Sequence, residues 1–392
     1  MNLHDILNRN WREGKRGSSV ANSNSTQCKG VSMQIRKTSK HARTCLFVLL
    51  SAILPVTSAS AQQLVVASFG GAYTASQAKA FFEPYAAKTG TKVLPADYNG
   101  GLAELRSQVQ AGSGAWDVID LEFQDAARAC DEGLIDPIKP GSLPNGQDGK
   151  SASSDFVQGS LMDCGVGTIL WSNVIAYDKR KFTGEQPTTI ADFFDLKRFP
   201  GKRGLSNKPN GNLEWALMAD GVPRDKVYAT LRTPAGLERA FKKLDTIKAN
   251  AIFWGAQAQS VQLLADGEVA MTEGGNGRFT DAITKDKKPF GILWQGQIIN
   301  GDVFAVSKAS KNKAAALDFI RFATSAPQLA AQTKYISYAP ARRSALPLVD
   351  ASLRENLPTS PANLKVGLAS DTAFWNDEQD EINRRWAAWM AH

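Results

Sequence analysis

The sequence predicts an α/β protein built as two lobes, and three observations predict it. Beyond a separable leader the chain runs for 331 residues (62–392), about twice a typical domain. Short β-branched apolar runs alternate with stretches of helical spacing, the pattern of parallel strands joined by helical crossovers. Val166–Tyr177 (VGTILWSNVIAY) is an extended run longer than an ordinary strand, long enough to pass from one lobe into the other.

Each element has a local reason. Leu64-Val65-Val66-Ala67 reads as a buried strand, turned by Gly70-Gly71. Thr74–Lys88 places Ala78, Phe81, Phe82, Tyr85 and Ala86 at helical spacing, and Gly90 sits where a helix C-terminus wants it. The unit repeats: strand Lys92-Val93-Leu94, then a helix face of Leu102, Leu105 and Val109 ending at Gly112. Strand Asp117–Leu121 and helix Gln124–Glu132 follow. Farther on, Asn212–Asp220, Pro234–Ala249 and Asn276–Lys285 read as helices. Val269–Met271, Pro289–Trp294 and Val303–Val306 read as strands. Lys313–Ala323 and Pro327–Thr333 are helices. A final helix is capped by Asn376, with Asp377, Glu378, Asp380 and Glu381 at its positive end and an apolar face of Ile382, Trp386, Trp389 and Met390.

The leader sits inside the sequence. Arg36, Lys37, Lys40 and Arg43 precede an apolar run, Cys45–Val56, and Ala59-Ser60-Ala61 supplies a small-residue cleavage pattern. The run is shorter than the ~20 residues a bilayer span needs, so 33–61 reads as a signal peptide cleaved after Ala61. Residues 1–32 are expected to be a start-site artefact, with a disordered extension as the alternative. Nine Lys/Arg and two Asp/Glu fall within 1–61, which leaves 37 basic and 36 acidic residues in the rest. The net charge of +8 thus drops to +1, and a general pull toward nucleic acid or anionic lipid goes with it.

Cys130 and Cys164 remain as an even pair in an oxidising compartment, so a disulfide is expected, two buried thiols being the alternative. Past the leader the only histidine is His392. A Ser-His-Asp or Cys-His catalytic site and a histidine-ligated metal site are therefore excluded, and no enzyme and no cofactor is expected. Neither G-x-S-x-G nor G-x-x-x-x-G-K-[ST] occurs. Tyr335-x-x-Tyr338 is the one hint of a metal site, and packing explains it equally well.

SFGGAY (68–73), WDVID (116–120), EGLIDPI (132–138), CGVGTILWSNVIAYD (164–178), DFFDLKRFPGKRG (192–204), LADGEVAMTEGGNGR (264–278) and DVFAVSKASKNKAAALDFIRF (302–322) stand in an order that resembles the extracellular solute-binding proteins of ABC transporters, in their spermidine/putrescine branch. The resemblance spans nearly all of 62–392. It implies a type II-like two-lobed periplasmic binding protein with a ligand cleft between lobes joined by crossing strands. The first lobe would be 62–171 plus 302–339 and the second 172–301 plus 340–392. Crossings would fall near Trp171–Asn173, Asn300–Asp302 and Ala339-Pro340. It also implies a monomer that hands its ligand to a membrane permease and its ATPase.

A cationic amine in a cleft needs carboxylates in place of water and aromatic faces along its methylenes. Tyr73, Glu122, Trp171, Ser172, Glu273, Asn276, Trp294, Asp302 and Tyr338 are the candidates by position, and Asp302 is the leading one. Packing is the competing reading for Tyr73 and Trp171, and solvation for Glu122. Arg278 departs from a plain polyamine site. Facing away, it would bridge to an acid; facing the cleft, it would pair with a carboxylate. A putrescine- or spermidine-like polyamine is thus the first expectation, and an amine carrying a carboxylate, such as γ-aminobutyrate or an opine, is the alternative. An exported carboxylate-based hydrolase stands third.

Overall fold

The computed structural model describes residues Gln63–Ala391. The expected leader and its expected cleavage point after Ala61, together with Gln62 and His392, lie outside the described residues.

One mixed sheet carries the molecule. Its strands are β1 (Gln63–Ser68), β2 (Lys92–Asp97), β3 (Val118–Glu122), β4 (Val166–Asp178), β5 (Arg203–Ser206), β6 (Ala251–Trp254), β7 (Met271–Gly275) and β8 (Phe290–Val306), with β9 (Ala339–Pro340) and β10 (Leu368–Ala369) as short additions. The order is β2-β1-β3-β8-β4-β7-β5-β6, with β9 on β4 and β10 on β8. Within each half the crossovers are parallel: β1 pairs with β2 and β3, and β5 with β6 and β7. The helices these connections require cover the faces.

β4 and β8 join the halves. They run antiparallel from Val166↔Phe304 to Asp178↔Phe290, with register shifts between Gly167 and Ile169 and between Asn173 and Ile175. The shifts bend the pair between two sets of packed side chains. One core gathers Val66, Phe81, Val118, Phe304 and Phe319, beside a second group with Ile119, Leu121 and Val303. The other gathers Phe193, Leu213, Trp215, Leu244, Trp375 and Trp386. Pro289–Trp294 and Val303–Val306, expected as two strands, are the ends of the single strand β8.

The third expected crossing lies later. Past β9 the chain stays with the first core: Ala341, Ala345 and Val349 are buried in it, and Arg342 pairs with Asp155 at 2.9 Å. It reaches the second lobe at β10, where Leu368 lies opposite Ile298. The physical reason is that this stretch is held to the first core, Ala339 beside Leu170 and Ala341 with Ala345 and Val349 beside Phe156, with Arg342 bridged to Phe156 and Asp155.

Local signals explain the helices. Helix Glu83–Thr89 ends on Gly90 at φ 76° and Ala103–Ala111 on Gly112 at φ 60°, where β-carbons are disfavoured. The final helix, Thr372–Ala391, begins before the Asn376 expected to cap it. Asp371 accepts from the Phe374 amide at 2.9 Å instead, which adds Phe374 and Trp375 to the buried face. Cys130 and Cys164 are disulfide-bonded, tying helix Phe123–Asp131 to the approach of β4.

Candidate functional site

The strands of both halves end around one cleft, and its inner end is built by four elements. β3 alternates, so Asp120 and Glu122 share a face. β8 lies beside it with Glu122 directly opposite Asp302, so two carboxylates separated by 180 positions become cross-strand neighbours. β4 contributes Trp171, whose indole Nε1 donates to Asp302 Oδ1 at 2.8 Å. The turn after β1 brings Phe69 and Tyr73, and Tyr73 donates its hydroxyl to Asp120 Oδ2 at 2.8 Å.

From the opposite lobe comes Arg278, on helix Asn276–Thr284. It is 6% exposed, and its Nη2 donates to the carbonyls of Phe69 (3.1 Å) and Gly70 (3.2 Å) across the cleft. Gly71, at φ 58°, makes this approach possible: a β-carbon there would stand 3.0 Å from Arg278 Nη1. Tyr338 closes the pocket, its ring edge-on to Tyr73 at 5.6 Å. The residues expected by position are thus brought together at Tyr73, Glu122, Trp171, Arg278, Asp302 and Tyr338, in a pocket of about 30 Å³.

Four expected site residues stand elsewhere. Ser172 is the neighbour of Trp171 on β4 and so faces the other side; its hydroxyl donates to Gln297 Oε1 at 2.6 Å. Asn276 accepts from the Ser172 amide (3.0 Å) and donates to the Ser337 carbonyl (2.7 Å), a strut beneath the pocket. Glu273 is fully buried in β7 and accepts from the Ser206 amide. Trp294 packs beside Val174, Phe279 and Phe290 under the second lobe's helices.

The acids of the inner pocket are shifted upward. Burial raises Asp120 to about 7, partly offset by hydrogen bonds from Tyr73 and Gln77. Burial raises Glu122, and the Lys208 ammonium holds it back. Asp302 is pushed well above the carboxylate range, first by burial and then by the charges of Asp120 and Glu122. Burial disfavours the ionised forms of Asp120 and Asp302, and a cationic group arriving beside them reverses that preference.

The pocket opens into a larger outer chamber of about 210 Å³ through Phe69, Glu122, Trp171 and Gln257, which border both. On the second lobe's side stand Trp254, at the end of β6, and Lys208, whose Nζ donates to the Asn99 carbonyl across the cleft at 2.9 Å. Sequence reasoning missed Phe69, Gln257, Trp254 and Lys208 as lining residues. Only Phe69 lies in a motif singled out beforehand, SFGGAY; β5 and β6, four residues each, carry no periodic signal. Among the described residues no group of three or more His, Cys, Asp or Glu forms a metal cage.

A cleft between two lobes that share crossing strands, lined by opposite charges and aromatic rings, defines a ligand-binding protein of the two-lobed type. The chain belongs to the bacterial extracellular solute-binding protein family, whose model matches residues 80–359. It is a binding protein and not an enzyme. It is 39% identical over 350 residues to a gamma-aminobutyric acid-binding protein of Pseudomonas aeruginosa, covering 89% of this chain and 96% of that one. Among solved structures it is similar to a GABA receptor, at 34% identity and a TM-score of 0.72 over 84% of this chain and 98% of the other. It is also similar to a binding protein of Agrobacterium tumefaciens in complex with glucopine, at 30% identity and a TM-score of 0.78 over 84% and 100%.

Proposed function

We propose that the protein is the periplasmic solute-binding component of an ABC importer and that it captures γ-aminobutyrate or a closely similar small amine carrying a carboxylate. The observation that carries this reading is the sharing of one pocket by Glu122, Asp302 and the Arg278 guanidinium. An ammonium between the two acids replaces its lost hydration with ionic hydrogen bonds. The methylenes lie along Trp171, Tyr73 and Tyr338. The ligand carboxylate meets the planar fork of Arg278, which suits a carboxylate better than a point charge would.

Arg278 is also the reason to set the polyamine expectation second. A guanidinium in so small a pocket repels the far ammonium of a diamine. The similarity to the Pseudomonas aeruginosa protein and to the GABA receptor supports the same choice. Arg278 reaches the carbonyls of Phe69 and Gly70 from the opposite lobe, so the group that meets the ligand also draws the lobes together. A closed, loaded monomer then docks on the membrane permease and its ATPase, with the leader removed after Ala61.

Titration calorimetry with γ-aminobutyrate, putrescine and spermidine tests the ligand. Tight one-to-one binding of γ-aminobutyrate and weak binding of the diamine are expected. Preference for putrescine would overturn the assignment and restore the polyamine reading. Mass spectrometry of the secreted protein should find Gln62 at the N-terminus.

A further inference from the structure

The step from the inner pocket, about 30 Å³, to the outer chamber, about 210 Å³, passes four side chains: Phe69, Glu122, Trp171 and Gln257. Three of them already have a role in the inner pocket. Glu122 lies opposite Asp302, and Trp171 donates to Asp302 at 2.8 Å. Phe69 lays its ring on Tyr98 at 4.9 Å and gives its carbonyl to Arg278. Gln257 comes from the second lobe, at the start of helix Gln257–Ala265. Its carboxamide is seated, because its Oε1 accepts from the Gly275 amide at 3.1 Å. Two things follow. The side chain leaves the doorway only by breaking that bond. Its one acceptor is also spent, so a cation pressed against it meets an NH₂ group that can only donate.

The two ends of the inner pocket differ. Arg278 lines the inner pocket alone, whereas Glu122 borders the outer chamber as well. A ligand whose carboxylate rests on Arg278 therefore has its ammonium at the doorway. Each added methylene drives that ammonium outward, against Gln257. Beyond the doorway the wall is mixed. Asp125 and Glu214 stand on it, and Asn173 Oδ1 and Gln379 Oε1 are buried there without a donor. Lys208, engaged with the Asn99 carbonyl at 2.9 Å, and the unpartnered Trp254 Nε1 share the same wall. Acceptors for an ammonium thus exist farther out, and Gln257 stands before them.

We propose that Gln257 sets the length of ligand the protein accepts: it closes the ammonium end of the inner pocket and excludes linear ω-amino acids longer than γ-aminobutyrate. The limit rests on the inner-pocket reading above for the ligand's orientation. Glu122 and Asp302 choose the charge at that end, and Gln257 chooses how far from Arg278 the charge can stand. A longer chain must either buckle inside the pocket or push the carboxamide off the Gly275 amide, and both weaken binding.

The test reads chain-length discrimination by titration calorimetry on the purified protein, with 4-aminobutyrate, 5-aminopentanoate and 6-aminohexanoate. In the parent each added methylene should weaken binding by about tenfold. Gln257→Ala opens the doorway into the chamber. It should shrink the ratio of 4-aminobutyrate to 6-aminohexanoate affinity by about tenfold or more and leave 4-aminobutyrate within about threefold. Gln257 is half-buried and belongs to none of the hydrophobic cores, so trimming it spares the fold. Gln257→Asn, one methylene shorter, should give an intermediate ratio and serves if the Ala variant folds poorly. A parent that binds all three equally overturns the limit, and so does an Ala variant that keeps the parent's ratio, whether or not it weakens every ligand. The diamines 1,4-diaminobutane and 1,6-diaminohexane separate this limit from the ligand assignment. A parent that binds diamines and no amino acid overturns the γ-aminobutyrate reading, and a diamine ratio that relaxes in the Ala variant leaves the length limit standing.

Discussion

Replacing Asp302 by Asn separates the ligand's need for charge from the fold's need for shape. The side chain is 3% exposed and accepts from Trp171 Nε1 at 2.8 Å, a bond that the Asn amide oxygen can keep. What disappears is one of two acids available to an ammonium. Removing one partner of a buried charge pair costs ~2–5 kcal/mol. The lower end applies here, because Glu122 remains directly across the strand pair. At ~1.4 kcal/mol per factor of ten, affinity for γ-aminobutyrate should fall by roughly 30–100-fold. Stability should move the other way. Burial and the charges of Asp120 and Glu122 hold Asp302 well above the ordinary range, so the ligand-free fold already disfavours its ionised form. The Asn variant should therefore melt no lower than the parent at pH 7–8. The bound ammonium ionises these acids in the parent, so binding near neutral pH should release protons. Calorimetry in two buffers of different ionisation enthalpy should show that release, and show it reduced in the variant. A loss in affinity under threefold, or a drop in melting midpoint that parallels the loss in affinity, would refute the reasoning.

Three further outcomes follow from the same groups. Asp120 and Glu214 are raised to about 7 and Glu273 to about 8, all mainly by burial, so between their unfolded and folded values the native state binds the extra protons. Stability of the ligand-free protein should therefore be fully present near pH 4–5 as far as these groups are concerned. It should fall as pH rises through 7–8, each group contributing at most ~1.4 kcal/mol per pH unit; a midpoint that climbs from pH 6 to 8 would contradict this. Arg278→Met should weaken γ-aminobutyrate by tenfold or more and improve putrescine, read as a change in the ratio of the two affinities. Reducing the Cys130–Cys164 bond should cost ~3 kcal/mol on the chain-entropy account, lowering the thermal midpoint by several degrees while leaving binding at saturating ligand intact.

Much of the fold was legible because its signals are local. Helix Lys313–Ala323 agrees with its sequence boundaries, and Gly90 and Gly112 end their helices as their position suggests. β5 and β6 were not legible, since Arg203–Ser206 and Ala251–Trp254 are short and their burial comes from parallel neighbours. Glu122 and Asp302 were each candidates by family position, but their pairing was not legible, because nothing in the 179 residues between them encodes it. Alternation along the extended run Val166–Tyr177 already separates Trp171 from Ser172, and choosing both by family position passed over that signal. Glu273 and Asn276 have the residue types of a ligand site, yet their partners are the Ser206 amide and the Ser337 carbonyl. Residue type alone cannot tell a strut from a contact.

The final helix has a consequence for the order in which the molecule can form. Phe374, Trp375, Ile382 and Trp386 fill the second core, and Trp375 Nε1 donates to the buried Glu214 at 2.9 Å. Arg128, on the helix that carries Cys130, meets Asp380 through two bonds of 2.6 and 2.8 Å. A ribosome makes these residues after the rest of the second lobe. Until they arrive, Phe241 lacks the rings of Trp386 and Trp389 against it, and Glu214 is left with Tyr228 and the Gly211 amide as donors. The second lobe therefore cannot complete its native core until the final helix has been made, whereas the first lobe's cores contain none of these residues.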